Sequence, residues 1–104
     1  MANRRRGEIE AVLDGERHVL VLTLGALAEL EAAFGAGDLA ALAARFADGK
    51  LSARDAARII GAGLRAAGTE ISDDEVGALR AEGGAAGFAR IVAELLAVTF
   101  GGEA

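Results

Sequence analysis

Between residues 8 and 23 the chain reads EIEAVLDGERHVLVLT. Ile9, Ala11 and Leu13 alternate with Glu8, Glu10 and Val12, and a second run of apolar residues follows Asp14-Gly15. Period-two alternation predicts half-buried strands. An Asp-Gly pair between two such runs predicts a tight hairpin turn. With that turn Leu13 pairs with Glu16, Ala11 with His18 and Ile9 with Leu20, and paired residues project to the same face. One face then carries Ile9, Ala11, Leu13, Leu20 and Leu22 and is the expected core side. The other carries Glu8, Glu10, Val12, Arg17, Val19 and Val21, three valines among charges. A hairpin alone is not stable in water, so this one must pack on helices. Its edges are open to pairing with another chain.

After Thr23 the apolar period lengthens to that of a helix. Leu27, Leu30 and Phe34 recur at helical spacing and predict a helix over 24–34, with Thr23 as N-cap and Gly35-Ala36-Gly37 as its end. Asp38 is placed to cap a short second helix over 39–46, with Leu39, Leu42 and Phe46 on one side and Asp48-Gly49 closing it. Ser52-Ala-Arg-Asp55 reads as a capping box with Asp in place of the usual Glu or Gln, opening a third helix over about 53–67. Its bulky residues are Ile59, Ile60 and Leu64. Gly61 and Gly63 lie inside it at a cost of about 1 kcal/mol each relative to alanine, which predicts a close helix crossing there. Ser72-Asp-Asp-Glu75 is a second capping box, and its helix is expected to fade at Gly83-Gly84. In a last helix, over about 85–100, Phe88, Ile91, Val92, Leu95, Leu96 and Thr99 follow the amphipathic pattern. It is the most hydrophobic helix and is expected to be central, with Gly101-Gly102 ending it. The fold class is α+β, mostly helical: an N-terminal β-hairpin followed by four or five helices in one small domain. Within 1–104, residues 1–6 are expected to be a flexible basic N-terminus, 8–23 the hairpin, 24–100 the helical part and 101–104 a tail.

Composition narrows the core. Of 104 residues 26 are alanine, which favours helix but adds little buried area, so the core should be thin and its helices close together. The net charge of −5 argues against a nucleic-acid partner, which needs a basic face. Arg4, Arg5 and Arg6 read as a solvated terminus. No apolar run reaches the roughly 18 residues of a membrane span, and no apolar stretch follows the arginines as in a signal peptide. No membrane partner is expected, and the chain is expected to stay in the cytosol where it is made.

The chemical inventory points away from catalysis. There is no cysteine, tyrosine or tryptophan. His18, the single histidine, lies inside a strand. Ser52 and Ser72 are explained by capping. Asp73, Asp74 and Glu75 form a tight acidic cluster without the loop spacing of a calcium site, and a helix N-terminus accounts for them. Gly83 and Gly87 lack the Lys-Ser/Thr of a phosphate loop and are read as a helix–helix contact. Phe34, Phe46, Phe88 and Phe100 sit in phase with leucines and are read as core. No catalytic, metal-ligating or cofactor-binding residue is expected, so the chain is read as an interaction module and not an enzyme.

Three segments bear a further reading: RGEIEAVLDGERHVLVLTLGALAELEAAFGAGDLAALAARF, LSARDAARIIGAGLRAAG and EGGAAGFARIVAELLAVTFG. In order they resemble a small family of tail proteins from gene transfer agents and related alphaproteobacterial prophages. Its members are described both as tail tube protein and as tail assembly chaperone. The resemblance covers roughly residues 6–101. It rests most on Leu24-Gly25-Ala26-Leu27 with Glu29 and Glu31, on Gly63-Leu64-Arg65, and on Glu82-Gly83-Gly84. It implies a phage-like tail morphogenesis protein. A tube subunit is normally β-rich, whereas tail assembly chaperones are small, largely helical and thought to keep the tape measure protein soluble. The helical pattern therefore favours a chaperone binding the tape measure protein and also the tail tube protein, with a structural tail (tube) component of the particle as the alternative. Candidate partner contacts are Val12, Val19 and Val21 on the outer hairpin face, and Leu27, Leu30 and Phe34 if the first helix is incompletely covered. Self-association through the hairpin edge is a further expectation.

Overall fold

The computed structural model of the chain describes residues 2–47 and 51–101. Asp48-Gly49, expected to close the second helix, and Gly102 and the rest of the expected tail lie outside them. Strands β1 (Glu8–Leu13) and β2 (Glu16–Val21) form an antiparallel hairpin in the expected register. Asp14 and Gly15 both have positive φ, 53° and 78°, the backbone that a two-residue turn matched to strand twist requires. Ile9, Ala11, Leu13, Leu20 and Leu22 are buried, and Val12 on the opposite face is exposed. Before the hairpin, Arg4–Arg6 make one 3-10 turn whose start is capped by Asn3. Arg4 reaches Glu94 at 2.6 Å.

Among the described residues five α-helices follow. Helix α1 (Leu24–Phe34) starts where Thr23 Oγ1 accepts from the Ala26 N–H at 3.1 Å and ends at Gly35 in the left-handed region. Helix α2 (Leu39–Ala47) starts at Asp38, whose carboxylate accepts from the Ala41 N–H at 2.8 Å. The capping box Ser52/Asp55 opens α3 (Ala53–Ala66), and Ser72/Glu75 opens α4 (Asp73–Gly77). Helix α5 spans Gly84–Phe100. Side chains from the hairpin and all five helices meet in one apolar core.

Three expectations are corrected. The first concerns the helix begun at Ser72, which stops at Gly77 and does not run on to Gly83. Instead residues 79–81 turn back to the hairpin. The Asp14 N–H donates to the Arg80 carbonyl at 2.8 Å, the Arg80 N–H donates to Asp14 Oδ1 at 2.7 Å, and Leu13 bridges Ala81. These tertiary hydrogen bonds satisfy backbone groups that further helical turns would otherwise have to pair.

Secondly, α3 and not α5 is the central helix. It packs on β2, α1, α4 and α5, and it buries six consecutive residues, Ile59 to Leu64. Its glycines make this possible. A Cβ at Gly63 would stand 3.0 Å from Leu95 Cδ2 and 3.2 Å from Leu20 Cβ, and one at Gly61 would overlap the Asp73 carboxylate. The predicted close approach is therefore present, to a strand and two helices at once. Thirdly, Gly83 and Gly87 do not join two helices. They abut each other, and a side chain at Gly87 would overlap the Glu82 carbonyl. They let the chain turn tightly into α5.

Candidate functional site

The acidic cluster resolves into structure. Asp73 lies beside Arg65, whose guanidinium donates to Asp73 Oδ1 and to the Ile71 carbonyl, each at 3.0 Å, and also to Glu29 Oε2. Glu75 completes the cap on Ser72. Burial opposes the Arg65 charge, but hydrogen bonds and attraction from Asp73 and Glu29 outweigh it and raise its pKa. The guanidinium stays charged, so this knot ties α1, α3 and the start of α4 with fixed ion pairs. Glu29 and Arg65, distant in sequence, are thus one structural unit. Among the described residues no group of three or more His, Cys, Asp or Glu side chains is placed to hold a metal ion. None of their helices is long and apolar enough to cross a membrane.

The candidate contact residues fall into two groups. Val12 is 44% exposed, and Val19 and Val21 are half-buried beside it on the outer face of the hairpin. Leu27 and Leu30 are 6% and 1% exposed and belong to the core. The condition that made them candidates, an incompletely covered first helix, is not met at these two positions. Phe34 is half-buried. Its ring meets Phe46 edge-on, centroids 5.2 Å apart and planes at 87°. The guanidinium groups of Arg45 and Arg58 lie 5.6 and 6.0 Å from its centroid, within reach of the attraction between a cation and a ring face.

A second surface was not foreseen. A groove of about 480 Å³ is lined by residues of α2, α3, α4 and α5. Ile60 of α3, Phe46 of α2 and Phe88, Val92 and Leu96 of α5 supply its bulk, and none of its lining residues is ionisable. Ser52, its one hydroxyl, already accepts from the Asp55 N–H. Ala85, Ala89 and Ala93 add a row of small exposed side chains on α5. Such a trough suits the apolar face of a helix, because alanines permit close backbone approach and no buried charge must be matched. A signal for it was present in sequence. Phe88, Val92 and Leu96 form a second apolar row beside Ile91 and Leu95, wider than a single seam requires.

The family model described as phage tail tube protein, GTA-gp10, matches residues 6–102. No match is found among curated proteins or among solved structures.

Proposed function

We propose that this chain, which belongs to the phage tail tube protein, GTA-gp10, family, serves tail morphogenesis as an assembly chaperone of the tape measure protein. A role in the structure or morphogenesis of a phage-type tail follows from the membership. The finer reading is carried by the uncharged apolar groove beside α5, which accepts a helical segment in the helix-in-groove mode. The hairpin is the one sheet among the described residues, and two strands are little material for the continuous β-lining of a tube wall. In this reading the protein acts by surface in the bacterial cytoplasm, catalyses nothing, and hands its client to tube subunits.

The test is co-expression with the tape measure protein of the same gene cluster. The tape measure protein is expected to be soluble and to co-purify only when this chain is present. Ala93→Glu places a charge in the groove at an exposed position and is expected to abolish co-purification with an unchanged melting temperature. Co-purification unaffected by Ala93→Glu would remove the groove from the reading. The family's own description favours a second reading, a tube component of the particle. Stoichiometric copies of the chain in purified particles would establish it.

A further inference from the structure

We propose that α2 is a detachable cover, and that its release extends the apolar groove onto the Phe34 side of α1. Among the described residues little holds this helix down. It packs chiefly on α1, buries only Leu42 and Phe46, and leaves Leu39 41% exposed. Its nine residues fall short of the roughly 12–15 at which an isolated helix is even marginal in water. Its ion pair to α3, Arg45 with Asp55, is long at 3.8 Å, with the arginine 52% exposed, a geometry that contributes little. The joint that enters it is open. Gly35 has a φ of 69°, and an added Cβ at Gly37 would meet nothing within 4 Å. Few buried contacts on a short element place it at the low end of local stability, in contrast with α3.

Phe46 decides what release exposes. One side of its ring meets Phe34, and the residue also lines the groove, so it partitions the two. With α2 undocked, the groove runs on to Phe34, and Arg58, 6.0 Å from that ring, stands at its edge. The occupant, a longer apolar helical segment than the closed groove admits, rests on the client reading above. The opening itself does not.

Hydrogen exchange on the free full-length chain therefore tests the cover separately from client binding. Amides of Ala43 to Ala47 are expected to exchange at least about tenfold faster than those of Ile60 to Leu64, through openings smaller than global unfolding. Phe46→Ala should raise the α2 rates by a further factor of about ten while changing α3 much less. Gly37→Ala, which restricts the open state, should slow α2 about twofold or more and leave α3 unchanged. A common exchange rate for α2 and α3, shifted equally by Phe46→Ala, would overturn the proposal. Loss of tape measure binding with the exchange pattern intact would sink the client and retain the cover.

Discussion

A side-chain carbon added at Gly25 would meet only Thr23 Oγ1, 3.8 Å away, whereas one at Gly63 would press on Leu95 and Leu20. Both glycines are helical, and both lower helix propensity relative to alanine. Gly25→Ala is accordingly expected to be neutral or to stabilise by up to about 1 kcal/mol. Gly63→Val should destabilise by about 1–3 kcal/mol through overpacking, and chemical denaturation of the two variants side by side reads the contrast. Arg65 is the corresponding polar position. Its partners Glu29 and Asp73 are about half exposed, so solvent screens the pairs. Arg65→Met is expected to cost about 1–2 kcal/mol. Arg65→Lys should restore only part of this, because one ammonium cannot reproduce a fork that spans two carboxylates and a carbonyl.

Elements here are defined by their ends. Thr23, Asp38, Ser52 and Ser72 all cap the helices they precede, as their sequence positions implied, because a cap is a local interaction over three residues. The end of α4 is different. Nothing near Gly77 in sequence announces that Arg80 will pair with Asp14, 66 positions away. Asp14 serves twice, holding a positive φ in the turn and accepting from the Arg80 N–H. Asp14→Ala should therefore cost about 1–2 kcal/mol and speed exchange of the Arg80 amide selectively. Asp14→Asn keeps an acceptor and the tolerance for that backbone, and should keep most of the stability. Equal exchange at Arg80 in the aspartate and alanine proteins would remove the clamp from this account.

At the scale of the molecule, the apolar surfaces left among the described residues once the core is closed include the outer hairpin face at Val12 and the groove along α5. The valines were identifiable from alternation alone, since a two-stranded sheet has two faces and one must face outward. The groove was marked in sequence only by the second apolar row of Phe88, Val92 and Leu96; the space itself exists only once α2, α3, α4 and α5 pack around it. If the chain is a chaperone, it is expected to be absent from purified particles by quantitative mass spectrometry, while its deletion alters tail length or yield. Val12→Glu should leave folding intact, and its effect on tape measure solubility, set beside that of Ala93→Glu, tells which surface meets the client. The chaperone reading expects the larger loss from Ala93→Glu.

Amino-acid order alone determined the hairpin with its turn and register, the capped starts of α1 to α4, and the α+β class, because each depends on interactions reaching a few residues along the chain. It also carried the family resemblance that the match over residues 6–102 bears out. Tertiary structure decided the rest. Hydrophobicity pointed to α5 as the centre, but the centre is α3, whose glycines admit neighbours on several sides. Apolar content measures what a helix gains by burial, whereas the absence of a side chain sets how closely other elements approach. That second quantity has meaning only once the neighbours are in place. The same holds for the groove, for the Glu29–Arg65–Asp73 knot and for the Asp14 clamp, each made by residues that only the fold brings together.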